Sequence, residues 1–260
     1  SQVMTKRRRV EESGASQVEA LALKESGRGQ LRYAPTEKIA VLEVDTFPQL
    51  GKLVALRFLE WVQCNPGGVI SLPTGRTPEH FIRHVQRLLS GWDASEVQAE
   101  LRAGGVDPAR GKPDMRSLTF VQIDEFYPIN PEQANSFRSY VERHYIEGFG
   151  LDPKKALTID TWTLGCESGT NAGELFGGSI DLTLRLRAPN SERERQQAAA
   201  LAAVDAFCMG YEDRIRALGG IGFFLGGIGP DGHVAFHCRG VDLHKTTALT
   251  PVNYETTEER

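Results

Sequence analysis

From about residue 38 the apolar positions fall into alternating strand-like and helix-like patterns. Residues 39–44 are β-branched and leucine-rich, which predicts a strand. Asp45 or Thr46 can then cap a helix in which Leu50, Leu53, Val54, Phe58 and Trp61 recur at helical spacing. Asn65, Pro66, Gly67 and Gly68 end it. Residues 69–72 form a short apolar run of the buried-strand kind, and after a turn at residues 73–78 a helix carries Phe81, Ile82, Val85, Leu88 and Leu89. A polar excursion follows at about residues 93–116, and residues 118–123 predict a third strand, with Asp124 and Glu125 at its C-terminal end. Residues 135–147 read as a helix ended by Gly148 and Gly150, and residues 156–159 as a fourth strand. In a second polar excursion, about residues 161–197, the alternation Ile180, Leu182, Leu184, Leu186 suggests an inserted strand. An alanine-rich helix over residues 197–218 stops at Gly219 and Gly220, before a last strand at residues 221–225.

Strands alternating with helices predict an α/β fold: a doubly wound, mostly parallel sheet with helices on both faces, Rossmann-like. Residues 1–37 are rich in Ser, Gly, Glu and Arg, with little periodicity beyond Val18, Leu21 and Leu23. They read as a disordered leader to a domain over residues 38–260. Charge removes some functions. Thirty Lys and Arg stand against thirty-four Asp and Glu, a formal charge of −4, so bulk electrostatics do not favour a nucleic-acid partner. No run approaches the roughly 20 apolar residues of a membrane span, so no membrane partner is expected. Cys64, Cys166, Cys208 and Cys238 stand far apart without a CxxC pair, as free thiols in a reducing compartment do. Lys6, Arg7, Arg8 and Arg9 lead into Glu11 and Glu12 rather than into the apolar core of a secretory signal. The expected location is the cytoplasm.

In a sheet of this kind ligands bind beyond the carboxyl ends of the strands, and three loops carry chemistry there. In the first, Thr77 is a natural N-cap and Pro78 suits the first helical position. The N–H groups of Thr74, Gly75, Arg76 and Thr77, two hydroxyls and a guanidinium can together hold a phosphate monoester, although the same residues also make an ordinary capped turn. In the second, Asp124 follows an apolar strand whose surroundings would desolvate it and raise its pKa, as a base that removes a carbon-bound proton requires; a surface or capping acid pair is the other reading of Asp124 and Glu125. The third loop, Gly226-Gly-Ile-Gly-Pro-Asp-Gly-His233, is the most specific. Its glycines allow close backbone approach to a ligand, and Asp231 stands two residues before His233, where it can set the imidazole tautomer.

Two lookalikes fail on inspection. Gly227, Gly229 and Gly232 match a dinucleotide fingerprint, but Asp231 inside it would face a pyrophosphate. His233 and His237 have the spacing of a zinc pair but lack the metalloprotease glutamate and an evident third ligand. His80 and His84 share that spacing as one helix face. No metal is expected.

With these three loops the chain resembles the glucosamine-6-phosphate isomerase/deaminase family, which shares its fold with 6-phosphogluconolactonases. The segments that carry the resemblance are Ser71-Leu-Pro-Thr-Gly-Arg-Thr-Pro78, Phe120-Val-Gln-Ile-Asp-Glu-Phe-Tyr127 and Phe224-Leu-Gly-Gly-Ile-Gly-Pro-Asp-Gly-His-Val-Ala-Phe236, in that order. The resemblance implies that Thr74, Gly75, Arg76 and Thr77 hold the sugar phosphate and that Asp124 shuttles a proton between C2 and C1. It also implies that His233, oriented by Asp231, opens the pyranose ring while Gly227 and Ala235 line the sugar through their backbone. The reaction it implies is an aldose to ketose isomerisation that releases ammonia, with no metal or organic cofactor, on a small phosphorylated sugar; homo-oligomers stay open. The sequence departs from the family twice. Cys238 stands where its deaminases have an acid that completes a histidine relay, and His237 replaces the preceding asparagine. Only 24 residues follow Phe236, whereas the family continues well beyond, so the sheet is expected to be incomplete at its C-terminal end and the protein to continue past residue 260. A lactonase-like hydrolase, or a sugar-phosphate-binding regulatory module without turnover, is the alternative.

Overall fold

A computed structural model describes residues 15–26, 41–242 and 244–252. The chain divides into two compact units, one built from residues up to 66 with residues 79–114, the other from residues 67–78 with those from 115 onward.

The first unit is helical: α1 (Gln17–Ser26), α2 (Phe47–Cys64), α3 (Glu79–Ser90) and α4 (Ser95–Ala103). Thr46 caps α2, its hydroxyl accepting from the Gln49 N–H at 3.3 Å, and Asn65 closes the helix. All five apolar residues expected on α3 are buried. The stripe that α2 buries is rotated from the expected one: Ala55, Leu56, Phe58, Leu59 and Val62 are inside, whereas Leu50 is exposed. Gly51 fits the rotated face, since a Cβ there would meet the His80 Cβ at 2.5 Å and the Phe81 backbone nitrogen at 2.7 Å. Phe58 meets Phe81 edge-on across the same contact, with centroids 5.6 Å apart.

Three expectations change in this unit. Part of the stretch read as a disordered leader forms α1, which buries Val18 and is tied to α2 where the Glu60 carboxylate accepts from the Ser16 hydroxyl and the Gln17 N–H. The first polar excursion contains α4, whose Leu101 is fully buried. Of the strand expected at residues 39–44, residues 39 and 40 lie outside the described residues and residues 41–44 are not in strand. The basic cluster at residues 6–9 also lies outside the described residues.

The second unit holds a four-stranded sheet: β1 (Val69–Ser71), β2 (Thr119–Val121), β3 (Ala156–Leu157) and β4 (Phe223–Phe224), all parallel and in the order β3-β2-β1-β4. Neighbouring residues of β2 point to opposite faces, and each face carries a helix. On one face Phe120 stacks on Tyr145, which belongs to α5 (Phe137–Val141) and the π-helical turn Glu142–Glu147 that continues it. On the other, Val69, Val121 and Ile159 pack with Tyr211 of α7 (Glu192–Ala217). A parallel sheet with helices on both faces is therefore the architecture, as the alternation of elements predicts. The inserted strand expected from Ile180 to Leu186 is instead the 3₁₀ turn Leu182–Arg185, started by Asp181, whose carboxylate accepts from the Thr183 N–H at 2.9 Å. Leu184 of that turn joins a core with Phe176 of α6 (Ala172–Phe176) and Leu201 of α7.

Candidate active site

The strand order fixes where a ligand fits. From β1 the chain runs outward to β2 and β3, then returns to the opposite side of β1 as β4, so the order reverses between β1 and β4. A crevice opens beyond the carboxyl ends of strands at such a reversal. The loops after β1, β2 and β4 are the three that the sequence marks out.

After β2 two adjacent carboxylates have different environments. Glu125 is fully engaged: it accepts from its neighbour's N–H on Phe126 at 2.9 Å, from the Ser136 hydroxyl at 2.9 Å, and from the N–H groups of Phe137 and Arg138 at 3.1 and 2.7 Å. The last three donors are the N-terminal end of α5, where Ser136 is itself the cap, so Glu125 satisfies orphan N–H groups at a helix start. Asp124 has no such donors among the described residues. Burial pushes its carboxyl up to about 7, the negative charge of Glu125 adds to the rise, and His233 pulls it back. A carboxyl in that range is divided between acid and base forms near neutral pH.

After β4, the Asp231 carboxylate lies 2.5 Å from Nδ1 of His233 and so fixes the ring and its tautomer, leaving Nε2 for a ligand. The turn is closed by hydrogen bonds from the Gly229 N–H to the His233 carbonyl and from the Gly232 N–H to the Gly229 carbonyl, both 2.9 Å. Gly229 is needed for room, because a Cβ there would overlap the imidazole. Beyond the histidine, Ala235 is held at φ 51°, a left-handed conformation that costs a non-glycine residue energy. Phe236 then packs its ring against both Phe126 and Phe137, at centroid distances of 4.8 and 5.7 Å, while those two rings meet each other at 5.1 Å. That aromatic contact docks the histidine loop onto the loop that carries Asp124.

After β1, Thr74 is half-buried and Gly75, Arg76 and Thr77 are exposed. Gly75 has φ 94°, which glycine adopts freely. The following helix starts at Glu79, one residue later than expected. Two tyrosines hold this loop: the Tyr145 hydroxyl donates to the Pro73 carbonyl at 2.5 Å and the Tyr140 hydroxyl to the Gly75 carbonyl at 2.9 Å.

Asp124 and Ala235 also line a cavity of about 310 Å³, walled by Ile159, Val204, Phe207, Phe236 and Leu249 and including Glu212, His237 and Lys245. Residues 74–77, Asp231 and His233 lie outside its wall, and Gly227 is exposed with open space around it. Sequence reasoning did not find Tyr140, Tyr145 or the aromatic contact of Phe236. The Glu125 clamp had a readable part, since Asn135-Ser136 before an apolar residue is a cap signal.

No family model matches the chain. Among curated proteins it is 24% identical over 216 residues to "Glucosamine-6-phosphate deaminase" of Halothermothrix orenii, covering 83% of this chain and 66% of that protein. It is 22% identical over 216 residues to "Glucosamine-6-phosphate deaminase 2" of Bacillus subtilis, covering 83% and 64%. The chain thus spans about two thirds of the length of these relatives. Among solved structures, a monomeric glucosamine-6-phosphate deaminase superposes with a TM-score of 0.58 at 20% identity, over 85% of this chain and 68% of that one, which shows a shared fold. The chain is homologous to the glucosamine-6-phosphate deaminase/isomerase family.

Proposed function

We propose that this chain carries the sugar-phosphate site of a cytoplasmic enzyme that converts an amino-sugar phosphate into a ketose phosphate and ammonia. One observation carries the reading: of two adjacent carboxylates, Glu125 is consumed by four donors while Asp124 stays without donors and titrates near neutrality, with an oriented histidine on the neighbouring loop. A sensor needs ligands for a phosphate but has no use for a poised base beside an oriented imidazole.

In this proposal residues 74–77 hold the phosphate, and Nε2 of His233 moves the proton that opens the sugar ring. Asp124 takes the proton from C2 and returns it to C1. The C1 carbonyl oxygen gains a proton and becomes a hydroxyl as the C2 amine loses one and becomes an imine; water then adds to the imine carbon, leaving a ketone and releasing ammonia. No electrons leave the substrate, so the proposal includes no redox cofactor. Gly227 and Ala235 present backbone to the sugar. The proposed partner is the phosphorylated sugar alone.

The test follows glucosamine 6-phosphate by proton NMR together with ammonia release. Conversion to a ketose phosphate with one equivalent of ammonia is expected, and no conversion by a protein that binds the sugar phosphate contradicts it. Cys238, in place of the family's relay acid, favours one second reading, a lactonase-like hydrolase. Ring opening of a sugar-phosphate lactone without any deamination would select it.

A further inference from the structure

We infer that Tyr140 and Tyr145 are positioning residues for the anion loop, holding the carbonyls of Gly75 and Pro73 so that the N–H groups of Arg76 and Thr74 are presented to a phosphate. The inference rests on the proposed phosphate role of residues 74–77. In a trans peptide the carbonyl and the following N–H point in opposite directions from one plane. A hydroxyl that fixes the Gly75 carbonyl therefore also fixes the Arg76 N–H, and one that fixes the Pro73 carbonyl fixes the Thr74 N–H. Both bonds are present, at 2.9 and 2.5 Å. Among the described residues neither N–H donates to a protein acceptor, so two donors remain for a ligand on either side of the turn that Gly75 allows at φ 94°.

The π turn explains how two residues five apart serve one loop. In an α-helix, positions i and i+5 are about 140° apart around the axis, and the two hydroxyls would diverge. The π-helical turn Glu142–Glu147 begins two residues after Tyr140 and has more residues per turn than an α-helix, and the rings of Tyr140 and Tyr145 lie on one side with centroids 6.0 Å apart. Tyr145 is fixed by stacking on Phe120 at 5.7 Å and by an edge contact with Phe149 at 5.3 Å. Burial and the nearby Tyr140 push the Tyr145 hydroxyl well above the usual phenol range, so it remains a donor. The same element starts at the Glu125 clamp. One helix thus ties the loop of the base to the loop of the anion.

The experiment compares the whole chain with Tyr140→Phe, Tyr145→Phe and Arg76→Ala, measuring calorimetric affinity for glucosamine 6-phosphate and for glucosamine, and amide shifts of Thr74 and Arg76 on adding inorganic phosphate. Each tyrosine variant is expected to weaken the phosphorylated sugar about five-fold, the loss of one hydrogen bond, to leave glucosamine unchanged and to shrink both amide shifts. Tyr140 is half-buried, so Tyr140→Phe alone carries the test if Tyr145→Phe does not fold. Unchanged affinity in the tyrosine variants beside a loss in Arg76→Ala overturns this inference and leaves the loop as the phosphate site. Equal losses for both sugars also overturn it, as general loosening. No amide shift and no effect of Arg76→Ala overturns the loop assignment and the inference together.

Discussion

Asp124 shows what one carboxylate costs when neighbours do not satisfy it. Its carboxyl titrates near 7 in the folded chain and near 3.8 when exposed, so between those values the folded state binds the extra proton. Stability is therefore greatest below about pH 4 from this group and falls as pH rises towards 7. Asp124→Asn removes that loss. The variant is expected to be more stable than the native chain at pH 8, by an amount on the order of a few kcal/mol at most, and to show a much smaller gain at pH 4. Urea denaturation at both pH values reads the difference, and an equal gain at each contradicts a raised carboxyl. Beside it, Gly229→Ala is expected to displace the His233 ring and lower turnover without changing phosphate affinity, measured as kcat against KM. The residue types at these positions were legible because strand ends followed by Asp-Glu and by a glycine-rich Asp-Gly-His are local patterns. Which of Asp124 and Glu125 is engaged was not legible, because Ser136, Phe137 and Arg138 reach Glu125 from another element.

Among elements, helix starts were readable where the cap is local. Thr46 and Ser136 are such caps, and Ser191 likewise caps α7 by accepting from the Glu194 N–H, although alanine content and apolar spacing put the start of that helix at residue 197, five residues late. The alternation from Ile180 to Leu186 misled because period two also arises by chance in a short turn. Leu184 is buried and Leu186 is 94% exposed, where a one-faced strand would treat them alike. Leu184→Ala is expected to destabilise the chain by about 2–4 kcal/mol and Leu186→Ala by under about 0.5 kcal/mol; comparable losses in thermal denaturation would restore the strand. The clamp on α5 gives a third expectation. Glu125→Ala leaves the N-terminal N–H groups of a short helix without their acceptor and is expected to cost about 2 kcal/mol, against no change if solvent replaces the carboxylate fully.

At the scale of the whole molecule, the parallel sheet followed from the alternation of patterns, while its order did not, since strands of two or three residues carry no record of their neighbours. The order matters because it sets the reversal between β1 and β4, the place beyond strand ends where such sheets bind ligands. None of the described helices is long and apolar enough to cross a membrane. The loops of Asp124 and His233 stand more than a hundred positions apart in the sequence, and both contact α5, the first through Glu125 and the second through Phe236. The central claim, that Asp124 moves the C2 proton, is tested most directly by hydrogen to deuterium exchange at C2 of glucosamine 6-phosphate in deuterated water. The native chain is expected to exchange that proton with a rate rising through about pH 7, as the carboxyl ionises. Asp124→Asn is expected to lose about 10²–10⁴-fold of the rate while binding the sugar phosphate within a few-fold. Exchange at the native rate in the variant, with binding intact, would remove Asp124 from the reaction.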